Sequence, residues 1–230
     1  MGDDVETMAP RQSSKDTVTP PASHAFARPR ALEPAAVVEL VRQLGLMATL
    51  RIGRAVEQAR RRGEPFSRLA AVTSESERLS RLQIAPAILL WRALREQYGA
   101  ERAFAVTRAV VLAAGSAFLK RTFDTLPQEA LRSRDEAVRR AFLQDATGRF
   151  FNASFTIEEA SQHRVRFTAK TCHFPALCRA VDAGELAPLF CEVDAAAFGQ
   201  AIKGVHLERS TTLASGGTMC PFTLVRAERP

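Results

Sequence analysis

The residues that could do chemistry lie in one stretch near the C-terminus, between Cys172 and Phe222. This stretch contains all four cysteines, two of the four histidines and the only Gly-Gly pair. The chain upstream has the composition of a polar tail followed by helical scaffold. If the protein is an enzyme, we expect its active site in this stretch.

Cys220 offers a thiol beside a glycine turn. It shares one face of a predicted strand with Phe222 and Leu224, and it follows the Gly216-Gly217 pair. A cysteine there is either a small packed core residue or a nucleophile next to backbone N–H groups that could hold an oxyanion. Spacing alone favours the packed thiol, and both interpretations stay open.

Two charged residues suggest how a thiol could be assisted. Cys191 and Asp194 are three residues apart on a predicted helix, so the carboxylate could carry a proton for a thiol or an attacking water. Arg209 falls on the same strand face as Val205 and Leu207, where an apolar residue is expected. A guanidinium on a buried face needs an anionic partner. That partner is either Asp194 or a ligand carboxylate held bidentately.

A metal centre is the less favoured alternative. A zinc-like set would use Cys172, His173, Cys191 and Cys220, but the chain has no Cys-x-x-Cys pair and adjacent Cys-His is an awkward chelate. The chain also lacks a G-x-S-x-G elbow, a P-loop and a G-x-G-x-x-G motif. We therefore expect neither a metal nor a cofactor.

The elements that position these residues form an α+β domain. Residues 1–33 are polar and proline-dotted and predict a disordered tail, and residues 34–230 predict a single domain. Apolar periodicity predicts helices over 35–62, 86–99, 100–123 and 125–148, with Ser74-x-x-Glu77 as a capping box before a short turn. Their core candidates include Val38, Trp91, Tyr98, Val138 and Phe142.

Alternation replaces the helical period after residue 150. Phe155 and Ile157, then Val165, Phe167 and Ala169, predict a strand pair with one buried face. Helical character returns over 174–201, with a break near Gly184. A strand from Val205, a hairpin turn over 214–219 and a return strand from Cys220 follow. The pattern predicts a helical N-terminal half packed on a small antiparallel sheet with inserted helices.

Composition limits the partners. The net charge is +7 and comes mostly from arginine, but no nucleic-acid-binding motif accompanies it. No apolar stretch looks long and charge-free enough to span a bilayer, and the N-terminus has no secretory h-region. We expect a cytoplasmic protein with reduced thiols and a small-molecule substrate, and no nucleic acid or membrane partner. The number of copies in solution is open, with a homo-oligomer among the alternatives.

The motif order resembles a known family. The pattern is Phe167-x-x-x-x-Cys172, Phe190-Cys191-x-x-Asp194 and Arg209-x-Thr211-Thr212-Leu213-x-x-Gly216-x-x-x-Cys220-x-Phe222. It is similar to the L-2-amino-thiazoline-4-carboxylic acid hydrolase family over about residues 150–226. The resemblance implies hydrolysis of a C–N or C–S bond in a small cyclic amidine carboxylate, giving an N-carbamoyl amino acid. Pro221 departs from the acidic residue expected there, which leaves the substrate open.

The resemblance and the spacing together define the predicted site. The catalytic candidates are Cys220, Cys191, Asp194 and Cys172, and the three thiols are not ranked. The substrate-binding candidates are Arg209, Arg166, Thr211, Gly216 and Gly217. A nucleophilic thiol here should have a lowered pKa from Arg209 or His173. The alternative is a non-catalytic small-molecule-binding domain, because 4-vinyl-reductase-type domains end in a similar strand.

Overall fold

The computed structural model describes residues 17–18, 26–27, 33–124, 128–198 and 205–226. Helices α1 (Pro34–Leu44) and α2 (Leu46–Arg61) are separated by Gly45. Gly45 has φ 77°, a backbone conformation that glycine adopts without a steric penalty. The single helix predicted over 35–62 is therefore wrong, and Val38, a predicted core residue, is 69% exposed.

Helix α3 (Glu75–Tyr98) is continuous through Pro86. Ser74 caps it by accepting a hydrogen bond from the Glu77 backbone N–H, as the capping signal predicts. The prediction of a short turn followed by a separate helix from residue 86 is wrong. Trp91 is buried, but Tyr98 lies in the last turn and is 39% exposed, so its assignment to the core is also wrong.

Helix α4 (Ala100–Asp124) confirms the helix predicted over 100–123 and packs against α1 and α3. By length and composition alone it is apolar enough to cross a membrane, which corrects the expectation that no stretch is. The core helix of a soluble protein passes the same test, so this is weak support for a membrane span.

Helix α5 (Glu136–Gly148) begins later than predicted. Asp135 caps it by accepting from the Ala137 N–H, and a short 3₁₀ helix, Gln128–Arg132, precedes it. The single helix predicted over 125–148 is wrong, because residues 128–132 form a separate 3₁₀ helix, while its predicted start at residue 125 lies outside the described part of the chain. Phe142 is buried as predicted, whereas Val138 is 42% exposed.

The sheet has the spatial order β1-β2-β3-β5-β4, and every neighbouring pair is antiparallel. Its strands are β1 (Thr17–Val18), β2 (Ala153–Ala160), β3 (Arg164–Cys172), β4 (Val205–Glu208) and β5 (Cys220–Arg226). Phe167 in β3 pairs with Ile157 on one side and with Phe222 on the other. These apolar side chains form the inner face of the sheet, on which a core cluster packs.

Two helices are inserted between β3 and β4. They are α6 (His173–Ala180) and α7 (Ala187–Ala197), separated by the 3₁₀ helix Gly184–Leu186 at the predicted break. Gly115 of α4 packs closely on α7, because a Cβ there would lie 2.5 Å from the Val193 methyl groups. The predicted end of this helical region near residue 201 lies outside the described residues. The α+β architecture is confirmed.

The connection from β4 to β5 is a loop over 209–219 that contains the 3₁₀ helix Leu213–Ser215. The tight hairpin turn predicted over 214–219 is therefore part of a longer loop. Of the segment predicted to be a disordered tail, only three parts are described. Residues 17–18 pair with β2, Phe26 contacts Phe151 edge-on, and Glu33 pairs with Arg121. The domain boundary remains a prediction.

Candidate active site

Arg209 and Asp194 form an ion pair beside the inner face of the sheet. Arg209 follows directly after β4, and its Nη1 donates to Asp194 Oδ2 of α7 at 2.8 Å. Its Nη2 donates to the Cys191 carbonyl at 2.5 Å, and its Cζ lies 5.0 Å from the centre of the Phe222 ring. The Arg209 side chain is 9% exposed and that of Asp194 25%. Of the two partners predicted for Arg209, this structure contains the protein carboxylate.

The environment of Asp194 makes its carboxylate a stronger base. Burial raises its pKa, and the charge and hydrogen bond of Arg209 only partly offset that rise. A carboxylate with a raised pKa accepts a proton more readily near neutral pH. Asp194 is therefore suited to receive a proton from a neighbouring group.

Cys220 begins β5, pairs with Ala169 of β3 and is buried. The backbone N–H of Leu213 donates to its sulfur at 3.1 Å. Burial raises the pKa of the Cys220 thiol, although Leu213 and Arg209 each act to lower it. One N–H group therefore points at this sulfur, and it comes from the 3₁₀ turn of the loop.

The backbone amides of Gly216 and Gly217, predicted as oxyanion donors, are not free donors beside the cavity in this structure. The Gly217 N–H donates to the Thr212 carbonyl at 2.9 Å, so it is already engaged. Gly216 has φ 90° and is exposed to solvent. Neither Gly216 nor Gly217 lines the cavity, and the Gly217 amide is already bonded, so their role as oxyanion donors stays a prediction without support from this geometry.

Cys191 lies on α7, one turn before Asp194. Burial raises the pKa of its thiol to about 12, Asp194 raises it further, and Arg209 and the Thr212 side chain act in the opposite direction. The Thr212 hydroxyl also accepts from the Ser215 N–H at 3.1 Å, which fixes the loop next to Cys191. Thr212 rather than Thr211 therefore contacts the site.

Cys172 ends β3, where the Asn152 side-chain amide donates to its sulfur at 3.5 Å. Burial raises the pKa of its thiol to about 11. His173, the next residue, has its Nε2 at 3.2 Å from the Ser76 hydroxyl instead. The expectation of a thiol with a lowered pKa is wrong for all three cysteines, because burial outweighs the nearby cation and donors.

Arg166 and Thr211 lie away from these groups. Arg166 is on the outer face of β3, is 48% exposed and is 3.5 Å from Glu158. Thr211 packs on the glycine turn, where a Cβ on Gly217 would lie 2.3 Å from its Oγ1. Neither residue lines the cavity described next, so their predicted contact with substrate stays a prediction that this cavity does not support.

A cavity of about 1600 Å³ connects the remaining candidates. Five of the nine predicted site residues line it: Cys172, Cys191, Asp194, Arg209 and Cys220. The rest of its lining is mostly apolar and comes from the helices and the inner sheet face. Sulfur, carboxylate and guanidinium groups that are distant in sequence therefore share one cavity.

Three contributors were not singled out from the sequence. They are Asn152, the Leu213 N–H and the ring of Phe222, which contact Cys172, Cys220 and Arg209 respectively. Phe222 could have been found from its parity with Cys220 on β5. Asn152 and Leu213 act through contacts between distant segments, which spacing does not reveal.

The side chains of this region do not form a metal site in the described part of the chain. Within ranges 33–124, 128–198 and 205–226, the His, Cys, Asp and Glu side chains form no group of three or more suited to hold a metal ion. All four cysteines are free thiols. The fourth, Cys178, is fully buried and lies outside the cavity lining.

The chain matches one protein family over most of its length. The family described as L-2-amino-thiazoline-4-carboxylic acid hydrolase matches residues 77–224, which is more than half of the chain. The chain belongs to this family. The predicted resemblance is thereby confirmed, and the family's name supports a hydrolase assignment at the level of the family.

Other comparisons add little. No curated protein matches the chain. Among solved structures, a crystal structure of an Fe(II) unliganded H-NOX protein mutant from K. algicida has a TM-score of 0.36 and 13% identity. The match covers 86% of this chain and 97% of that chain. At that TM-score nothing about fold or ligand is carried over to this member of the hydrolase family.

Proposed function

We propose that this protein opens a small cyclic amidine or thiazoline carboxylate by hydrolysis at the cavity end formed by Cys191, Asp194 and Arg209. The observation that carries the proposal is the pairing of Arg209 with Asp194 beside cavity-lining thiols, in a chain of this hydrolase family. A nucleophile, a proton acceptor and an anion-binding group are the three parts that such a reaction requires.

Cys191 is the proposed nucleophile. Cys191 and Asp194 lie one turn apart on α7 and both line the cavity, so the carboxylate is placed to take up the proton of the thiol. Because the thiol pKa is about 12, the proton leaves as the sulfur attacks rather than beforehand. The Cys191 sulfur bonds to the amidine carbon while its proton passes to Asp194.

The remaining steps return the site to its starting state. The ring C–S bond breaks and its sulfur takes the proton from Asp194, leaving an isothiourea on Cys191. Water then adds to the same carbon, and the Cys191–carbon bond breaks with a proton returned to the Cys191 sulfur. The product is an N-carbamoyl amino acid with a free thiol, and one water molecule is consumed.

Arg209 is the proposed site for the substrate carboxylate. A guanidinium has five N–H donors, and two of those of Arg209 bond to Asp194 and to the Cys191 carbonyl. The other three have no hydrogen-bond partner among the described residues. A carboxylate that accepts from them would hold the amidine carbon near the thiols.

A cysteine series tests the thiol mechanism. The purified chain is given L-2-amino-thiazoline-4-carboxylate, and the N-carbamoyl product is measured by liquid chromatography. Cys191→Ala should lose at least about 100-fold in kcat, a size typical of removing a catalytic nucleophile or base. Cys178→Ala is the matched control, because Cys178 is buried outside the cavity lining. Full turnover by Cys191→Ala, Cys220→Ala and Cys172→Ala alike would rule out thiol attack.

The second candidate function is binding without turnover. It is favoured by the raised thiol pKa values and by the internal partner of Arg209. This alternative predicts tight binding of a cavity ligand with no chemical change in it. Ligand recovered intact after prolonged incubation with wild-type protein, at saturating occupancy, would support it over hydrolysis.

A further inference from the structure

The cavity is far larger than the substrate that the family name suggests. A thiazoline carboxylate has about nine non-hydrogen atoms, whereas pockets of about 300–1,000 Å³ hold drug-sized ligands. The cavity here measures about 1600 Å³. A thiazoline carboxylate bound at Arg209 and Asp194 would therefore leave most of the cavity empty.

Between α4 and the inner face of the sheet the cavity is bounded mainly by apolar side chains that are not fully packed, whereas charged residues such as Glu33, Arg54 and Arg164 line other parts of it. Phe155 and Phe222 on the sheet, Phe190 on α7 and Ala114 on α4 all line it, and all four are only partly buried. Protein interiors are normally close-packed, so partly buried aromatic rings around a cavity indicate a surface shaped to bind a ligand. An apolar ligand body is the chemistry that this lining matches.

One group of polar side chains in this lining is joined by hydrogen bonds, with Arg209 at its centre. Three N–H donors of Arg209 have no partner within the part of the chain that the structure describes, and Asp194 and the Cys220 sulfur line the same cavity. Aromatic contacts continue from there, because Phe222 lies under the guanidinium and stacks on Phe167 at 4.9 Å. The arrangement therefore suits a molecule with one polar head and an extended apolar body.

We propose that the ligand of this chain is an amphiphilic carboxylate whose head binds at Arg209 and whose large apolar body fills the space between α4 and the inner face of the sheet. The role of the head rests on the proposed function. The role of the apolar body is independent of the proposed function. A ligand with a large apolar body would distinguish this protein from a hydrolase that acts only on the small thiazoline ring.

Calorimetry with a series of straight-chain carboxylates tests the apolar body. Butanoate, octanoate, dodecanoate and hexadecanoate are titrated into the purified full chain below their micelle concentrations. Burial of each methylene should tighten binding by about threefold to fourfold, with an increasingly negative heat-capacity change. Affinity that does not change with chain length would overturn the proposal.

Cavity-filling variants locate the binding. Ala114→Phe places a ring in the cavity from α4, and Ala87→Phe does so from α3, so one can replace the other if it fails to fold. Each should weaken hexadecanoate binding at least about tenfold and change butanoate binding less than about twofold. Ala105→Phe is the control, because Ala105 is exposed on the same α4 helix and does not line the cavity. Equal loss in Ala105→Phe, or no loss in both cavity variants, contradicts the proposal.

Different results would contradict the hydrolase proposal and the proposal of an amphiphilic ligand. Arg209→Gln should weaken all four carboxylates by a similar factor and keep the dependence on chain length. If the protein turns over the small thiazoline carboxylate but binds all four carboxylates equally, the hydrolase proposal is supported and the proposed apolar ligand body is contradicted. If binding depends on chain length but no turnover occurs, the apolar ligand body is supported and the hydrolase proposal is contradicted.

Discussion

Two arginines were predicted to bind substrate, one on the inner side of the sheet and one on its outer face. Their environments differ in burial and in the distance to a carboxylate. Arg209 is 9% exposed and is 2.8 Å from Asp194. Arg166 is 48% exposed and is 3.5 Å from Glu158. A guanidinium on the inner face contacts the cavity and is shielded from water, whereas one on the outer face is a solvated surface group. The same residue type therefore has a different role on each face.

The largest expected difference between the faces is in stability and turnover. Arg209→Gln leaves Asp194 without its partner, and a broken buried pair costs about 3–5 kcal/mol. Since Asp194 keeps some solvent contact, we expect a loss of about 2–4 kcal/mol in the free energy of unfolding and at least a 100-fold loss in kcat/KM. Urea denaturation and the ring-opening assay measure the two effects.

Arg166→Gln is the matched outer-face control. Exposed pairs contribute about 0–1 kcal/mol, so its stability should stay near that of the wild type and its turnover should be unchanged. If both variants lose stability and activity equally, the contrast between the faces is wrong.

Thiol reactivity gives the second test of the inner face. The pKa values of about 11 for Cys172 and about 12 for Cys191 predict alkylation by iodoacetamide at least about 100-fold slower at pH 7.5 than for a free cysteine, for which the ordinary pKa is about 8.5. Peptide mapping after timed alkylation measures each rate, and urea-unfolded protein provides the reference. A cysteine in the folded protein that reacts as fast as in urea would contradict the shielding of this face.

A substitution in the loop between β4 and β5 should have a smaller effect on the free energy of unfolding. Gly217→Ala should cost about 1–3 kcal/mol, because the new Cβ would lie 2.3 Å from Thr211 Oγ1 and 2.9 Å from the Thr212 carbonyl oxygen. Gly53→Ala in α2 is the control. It has no heavy atom within 4 Å of the added Cβ, and alanine favours a helix by up to about 1 kcal/mol over glycine. Thermal melts should move in opposite directions for the two variants, and a shared direction would contradict this packing.

The pH dependence of stability separates two carboxylates by sign. Burial raises the pKa of Asp194, so its stabilising contribution is present below about pH 4 and is lost as pH rises through the raised value. Hydrogen bonding to Arg164 lowers the pKa of Glu159, so the contribution of Glu159 is present above its unfolded pKa and is lost as pH falls.

Denaturation of wild type, Asp194→Asn and Glu159→Gln between pH 3 and pH 8 measures both trends. The wild type should lose stability relative to Asp194→Asn as pH rises, and gain it relative to Glu159→Gln. Trends of the same sign for the two variants would show that Asp194 is not held in a desolvating environment.

Local patterns were enough to predict the α+β class, helix α4, strands β2 and β3, and an anionic partner for Arg209, for which Asp194 was one of two alternatives. Helix α3 was misjudged because Pro86 is a strong local stop signal, yet the helix continues through it in the folded chain. The thiol pKa values were also misjudged, because burial depends on what packs around a sulfur and not on its sequence neighbours. Strand parity identifies the face of Arg166, but only the packed helices decide which face lines the cavity.

The most direct measurement is the rate at which purified protein converts L-2-amino-thiazoline-4-carboxylate to an N-carbamoyl thiol, for the wild type, Asp194→Asn and Arg166→Gln in parallel. We predict turnover by the wild type, a loss of at least about 100-fold in Asp194→Asn, and wild-type rates in Arg166→Gln. No product from the wild type, or equal rates in all three proteins, would contradict a hydrolytic site on the inner face of the sheet.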